Sequence, residues 1–239
     1  MKFNIFIKKL STSKKPLLAV LIDPDKFNPQ LITLANNTKV SCFLVGGSQL
    51  ENGDVNKTVK AIKKISTIPV IIFPGDETQL SKHADGLLLL SLLSGRNPDY
   101  LIGKHITAAP IIKKMQLPHL PTAYILINGG IISQTQKVTN TQPLNPKNQT
   151  LIINTCIAAQ QLGFKAIYLE AGSGANNSIS PSLIKKIKQQ VLIPIIVGGG
   201  ITNTKTTKQL LNSGANMLVV GNVLEKNVYL LTEIINCLR

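Results

Sequence analysis

Short apolar runs alternate with segments of helical period along almost the whole chain, and this alternation predicts repeated βα units. Strands are expected at 17–23, 41–46, 69–74, 86–91, 122–128, 165–170, 194–198 and 217–221. Each run is nearly continuous in apolar residues, as a strand covered on both faces should be. Helical patterns fit 28–38, 54–65, 98–104, 148–162, 181–190, 203–213 and 225–238, with a further short helix before the first strand. Asn203 reads as an N-cap, and Ser180-Pro181 as an N-cap followed by proline at the first helical position. The expected fold is α/β: one (β/α)8 barrel of the TIM type over residues 1–239.

Two intervals break the pattern. Only residues 76–85 separate the third strand from the fourth, which is short for a parallel crossover with its helix. The barrel is therefore expected to lack a regular third helix. Residues 133–148 are polar with two prolines, and strands continue in the same style on either side. A long functional or mobile loop fits that segment better than an interdomain linker.

Composition narrows the partners. The 239-residue chain is 44% hydrophobic, enough for a sizeable core, and carries a net charge of +15. All but two of its 26 basic residues are lysines, Arg96 and Arg239 being the exceptions. Lysine lacks the planar fork that reads bases bidentately. With aromatics at 4% and no tryptophan, stacking platforms are scarce too, so nucleic acid is not an expected partner. The charge fits an anionic substrate or an acidic membrane surface, or simply the solvation of outer helices. Cys42, Cys156 and Cys237 are widely spaced inside apolar segments and read as reduced thiols of a cytoplasmic protein. No apolar run approaches the length of a membrane span and no signal peptide is apparent, so membrane contact is expected to be peripheral at most.

Candidate chemistry gathers at strand ends. The run Tyr168-Leu169-Glu170-Ala171-Gly172-Ser173-Gly174 sets a tyrosine and a carboxylate at the tip of a buried strand, directly before glycines whose amides can curl around an anion. Two later strands also stop in glycine, at Gly198-Gly199-Gly200 and at Gly221-Asn222. Together these endings suggest a phosphate grip at the carboxyl end of the barrel. Glu170 is the natural general base. Tyr168 alternates with it along the strand and shares its side, where it either bonds the same ligand or is a core tyrosine.

The first strand ends in Asp23-Pro24-Asp25-Lys26, which suits Mg²⁺ beside a diphosphate. Asp23 or Asp25 could instead cap the next helix. Gly46-Gly47-Ser48 at the second strand offers a hydroxyl to an anion or a metal's shell, or makes a tight turn. Arg96 could clamp a diphosphate or pair with Asp99. His83, His105 and His119 sit in loops or helices, none at a strand tip and none with a visible nucleophile, and read as surface or packing residues.

The ordered set Leu21-Ile-Asp-Pro-Asp-Lys26, Leu44-Val-Gly-Gly-Ser48, Ser91-Leu-Leu-Ser-Gly-Arg-Asn-Pro98, Tyr168-Leu-Glu-Ala-Gly-Ser-Gly-Ala175, Ile195-Ile-Val-Gly-Gly-Gly-Ile201 and Val220-Gly-Asn222 resembles the geranylgeranylglyceryl phosphate synthase family, which includes bacterial heptaprenylglyceryl phosphate synthases. The resemblance spans most of the chain and implies a modified barrel without its third helix. It implies a prenyltransferase that joins sn-glycerol 1-phosphate to a prenyl diphosphate with Mg²⁺ and releases diphosphate. By position, Asp23 and Ser48 would serve the metal. Tyr168 through Gly174, Gly199, Gly200, Gly221 and Asn222 would hold glycerol phosphate. Where part of the family has lysine two residues before the first motif aspartate, this chain has Leu21. That resembles the branch with larger homo-oligomers such as hexamers. Another phosphate-binding barrel enzyme, a sugar-phosphate isomerase or an FMN enzyme, is the competing expectation.

Overall fold

The computed structural model describes residues 2–238. All eight expected strands form: β1 Leu17–Ile22, β2 Cys42–Val45, β3 Val70–Ile72, β4 Gly86–Leu92, β5 His119–Leu126, β6 Ala166–Glu170, β7 Ile195–Gly198 and β8 Met217–Val220. Every neighbouring pair is parallel, and β8 pairs with β1 to close the barrel. The helices are α1 Lys2–Thr12, α2 Pro29–Asn36, α3 Val55–Ile65, α4 Lys104–Met115, α5 Gln134–Thr139, α6 Gln149–Gln161, α7 Pro181–Lys188, α8 Thr204–Leu211, α9 Asn222–Lys226 and α10 Leu230–Asn236.

The period-2 alternation of each strand splits the core into two layers. Inward residues, among them Ala19, Leu44, Ile71, Leu88, Tyr168 and Met217, fill the barrel. Helix α1 adds Phe3, Phe6 and Leu10 to this inner layer and plugs one end. Gly86 is required there, because a Cβ at 86 would run into the Phe3 ring. Outward residues such as Val20, Val45, Ile167 and Val197 pack against the surrounding helices.

No helix lies between β3 and β4, as the short interval predicts. Elsewhere the structure adds helix that the pattern missed. A five-residue π-helical turn, Asp99–Gly103, runs directly into α4, which continues past Pro110 to Met115, well beyond the expected end at 104. The polar segment 133–148 contains α5, capped by Ser133, whose side chain accepts from the Gln136 amide. The expected last helix divides into α9 and α10. Asn203 caps α8 as expected, whereas Ser180 precedes α7 without a side-chain capping bond, its hydroxyl lying 2.8 Å from that of Ser182. Cys42 and Cys156 are buried and Cys237 is half-buried.

Candidate active site

At the carboxyl ends of the strands lies a cavity of about 340 Å³. Asp23, Ser48, Tyr168, Glu170, Ser173, Gly174, Gly199, Gly200, Gly221 and Asn222 all line it. Residues from five strand ends, far apart in sequence, thus meet around one space. The structure does not bring Leu169, Ala171 and Gly172 to that lining. Leu169 and Ala171 have the opposite strand parity and belong to the outer core layer. Gly172 instead donates its amide to Glu170 Oε1 at 2.7 Å.

Glu170 is only 7% exposed. Burial pushes its carboxyl up to about 7, against the opposing pull of the Gly172 amide and the nearby Tyr168 hydroxyl. A base near neutrality is matched to accepting a proton at physiological pH. The Tyr168 hydroxyl is fully buried beside the Glu170 carboxyl, without a well-formed hydrogen bond to it or to any other described residue. Its ring is fixed by Tyr124, 5.3 Å away, and by Phe73, 5.0 Å away. Burial and the neighbouring Glu170 charge hold the Tyr168 phenol well above its ordinary range, so it stays a neutral donor.

The glycine turns are held in place around the carboxylate. Gly199 has φ +81°, and a Cβ there would also strike Glu170 Oε1. Ser173 donates its hydroxyl to Asn222 Oδ1 at 2.7 Å, tying the turn after β6 to the start of α9.

The two aspartates after β1 have separate jobs. Asp25 accepts amide hydrogen bonds from Glu51, Asn52 and Gly53, which pins the loop after β2 and holds its carboxyl below the usual range. Asp23 caps its own turn through the Asp25 amide at 3.0 Å and keeps its other oxygen toward Lys26, 3.8 Å away. Burial raises the Asp23 carboxyl, so its charged form lacks full compensation inside the protein. Ser48 Oγ lies 3.1 Å from Thr135 Oγ1. Among the described residues no group of three or more His, Cys, Asp or Glu side chains could hold a metal by itself. One under-compensated carboxylate and a hydroxyl, both hard oxygen donors, fit Mg²⁺ that takes its remaining ligands from phosphate and water.

Several contributors escaped the sequence. Gln79 braces the turn before Ser48, with Oε1 accepting from the Gly47 and Gly75 amides and Nε2 donating to the Gly47 carbonyl at 2.8 Å. Glu225 lines the cavity and pairs with Lys26 at 3.0 Å; its one signal is a position three residues after Asn222. Nothing in the sequence distinguishes Thr135 from its polar neighbours. Arg96 neither enters the cavity nor pairs with Asp99, for its guanidinium donates to the Leu93 and Gly95 carbonyls. His119 opens β5 instead of sitting in a loop, and His105 Nε2 lies 3.1 Å from Ser91 Oγ.

An apolar groove adjoins the polar cavity and shares Gly47, Ser48, Phe73, Tyr124 and Thr135 with it. It is lined by Leu80, Leu87, Leu89, Leu90 and Leu92 between the connection after β3 and α4. The missing third helix explains it: Leu87 and Leu89 have the outward parity that a helix would otherwise cover.

A family model described as the PcrB family matches residues 11–238. The chain is 39% identical over 235 residues to the geranylgeranylglyceryl phosphate synthase of Chitinophaga pinensis, spanning 97% of this chain and 93% of that protein. It is 44% identical over 215 residues to the protein of the same name from Flavobacterium johnsoniae, spanning 88% of each. Its fold matches the crystal structure of (S)-3-O-geranylgeranylglyceryl phosphate synthase from Thermoplasma acidophilum in complex with sn-glycerol-1-phosphate, with a TM-score of 0.89 and 29% identity over 98% of this chain and 96% of that one.

Proposed function

The chain belongs to the PcrB family, and from that premise we propose that it joins the 3-hydroxyl of sn-glycerol 1-phosphate to C1 of a prenyl diphosphate, with geranylgeranyl diphosphate the donor to which its relatives' names point. The enzyme is a prenyltransferase. A C–O bond forms between the glycerol oxygen and prenyl C1, the C1–O bond to diphosphate breaks, and the hydroxyl proton passes to Glu170.

One observation carries this reading: a buried carboxylate poised near neutrality stands in a polar cavity that opens sideways into a leucine-lined groove. A small phosphorylated alcohol and a long apolar donor need two such compartments meeting at one base. The turns at Gly172–Gly174, Gly199-Gly200 and Gly221-Asn222 offer backbone and side-chain donors to the glycerol phosphate. Glu170 holds the acceptor hydroxyl and takes its proton. The Tyr168 hydroxyl, buried beside Glu170 without a well-formed hydrogen bond, donates to a ligand oxygen there. Phe73 and Tyr124 line both compartments, where their rings would flank the reacting carbon.

Mg²⁺ would be held by Asp23 and Ser48, where it supplies neutralising charge for the departing diphosphate. The reading extends to a cytoplasmic homo-oligomer, an assembly as large as a hexamer, with membrane contact peripheral at most. Leu162 and Leu192, 71% and 91% exposed, support subunit contacts. Among the described residues no helix is long and apolar enough to cross a membrane.

The direct test incubates the purified protein with Mg²⁺, labelled sn-glycerol 1-phosphate and prenyl diphosphates of several lengths. Formation of a prenylglyceryl phosphate ether with release of diphosphate is expected. Failure to form that ether from any donor would overturn the reading.

A further inference from the structure

The two walls of the apolar groove are built differently. One is the helix-free connection from Phe73 to Leu80, and the other is the π-helical turn at 99–103 with the first residues of α4. Among the described residues a single polar contact joins them, Lys104 Nζ to Glu77 Oε2 at 2.6 Å. Lys104 is steadied on its own wall, its ammonium lying 5.2 Å from the centre of the Tyr100 ring. Glu77 lies between Gly75 and Gln79, and Gln79 is braced onto the Gly47 turn. That brace anchors the wall that carries Glu77, while neither Glu77 nor Lys104 lines the polar cavity. Both side chains are partly exposed, at 29% and 27%, which puts the contact at the solvent edge of a groove rich in leucine that also has Asp76, His105 and Thr139 in its lining.

We propose that Lys104 and Glu77 form a clasp across the groove that sets how tightly the enzyme holds the tail of its prenyl donor. Closed, the clasp keeps the two walls together over an apolar chain. Open, it lets a long chain enter sideways from a lipid environment instead of threading end-on. A partly exposed ion pair stabilises only weakly, so it opens readily, as a gate for a bulky ligand must. The clasp makes no contact with the polar cavity, and its effect falls on the hydrocarbon part of the donor alone. The π-helical turn, an irregularity common at functional sites, places Lys104 at the start of α4 facing Glu77.

The proposal rests on the groove taking the prenyl tail, and the test separates the two ideas. Binding of geranylgeranyl diphosphate and of dimethylallyl diphosphate is measured by calorimetry with Mg²⁺ on the full chain, for wild type, Lys104→Met, Glu77→Gln and the exchanged pair Glu77→Lys with Lys104→Glu. Each single variant should weaken the long donor about three- to fivefold, the scale of a partly exposed ion pair, and leave the short donor unchanged. The exchanged pair should recover most of the loss, which a variant damaged only in folding would not do. Equal weakening of both donors, or unaltered binding of the long one, would overturn the clasp. Equal affinity of the wild-type protein for long and short donors would instead remove the groove from the proposed function.

Discussion

Glu170 and Gly198 face each other across the β6–β7 ladder, and the carboxylate has its place because residue 198 has no side chain. A Cβ at 198 would stand 2.7 Å from Glu170 Oε2 and collide with the Tyr168 hydroxyl. Gly198→Ala should therefore displace both groups at once. Overpacking of this kind costs about 1–3 kcal/mol, and transfer should fall far more than stability does. Urea unfolding alongside steady-state kinetics checks this, and a variant with wild-type turnover would show that the site tolerates the displacement.

Glu170→Gln keeps the shape of the side chain and removes its basicity. Transfer should drop by about 10²–10⁴-fold, the usual scale for losing a general base. Affinity for sn-glycerol 1-phosphate should stay within a fewfold, since the turns at Gly174, Gly199 and Asn222 still line the cavity. Calorimetry for binding and a radiolabel assay for transfer separate the two effects.

The same substitution should reveal what the base costs the fold. The Glu170 carboxyl moves from an ordinary 4.5 to about 7 on folding. Between those values the native state binds the proton and the unfolded state does not, so wild-type stability falls as pH rises through this window. The amide of the Glu170→Gln variant has no such proton to bind. The variant should match wild type near pH 4 and exceed it by on the order of 3 kcal/mol at pH 8, from about 1.4 kcal/mol per pKa unit. Wild-type kcat/KM should rise with pH through about 7 as the base ionises. Denaturant unfolding at both pH values tests the first statement, and a pH–rate profile the second.

The parts of this molecule that were readable from its sequence are those whose physics is local. A strand buried on both faces is continuously apolar wherever it occurs, and all eight strands fell within a few residues of their expected places. Chain length between β3 and β4 could not hold a crossover helix, and none formed. Alternation along β6 placed Tyr168 and Glu170 together, and the same rule excludes Leu169 and Ala171 from the lining, although they belong to the same motif. What stayed hidden depends on tertiary contact. Gln79 matters because a turn 32 residues earlier leaves amides for it to bridge. Thr135 matters because α5 brings it to Ser48. Pro110 gave no hint that α4 would run through it.

Asp23 and Asp25 are two residues apart and should fail in different ways. Asp23→Asn removes the carboxylate proposed to hold Mg²⁺, so half-maximal activity should need a higher Mg²⁺ concentration while the melting temperature holds. Asp25→Asn weakens the acceptor for three amides of the loop after β2 and should lower the melting temperature. The Asp25 carboxyl is held low in the folded protein, so its contribution is present at neutral pH and lost as pH falls through its folded value. The Asp25→Asn penalty should therefore shrink in acid. A Mg²⁺ titration of activity and thermal melts at two pH values distinguish the pair; matching behaviour of the two variants would refute the division of labour.

Phe3 tests whether the floor of the barrel is independent of its mouth. Its ring is 2% exposed, stacks on Phe6 with centroids 6.1 Å apart, and occupies the space left by Gly86. Truncation to alanine opens a cavity in the inner core layer, where loss of a buried phenylalanine costs about 3–5 kcal/mol. Gly86→Ala should destabilise for the opposite reason, by forcing a methyl into the same ring. Neither residue lines the cavity or the groove at the strands' carboxyl ends. At a temperature where each variant remains folded, kcat and both KM values should therefore stay near wild type, even as the melting temperature drops. Thermal melts paired with kinetics well below the transition make the comparison, and a large change in kcat under those conditions would mean that the plug and the active site are mechanically coupled through the barrel.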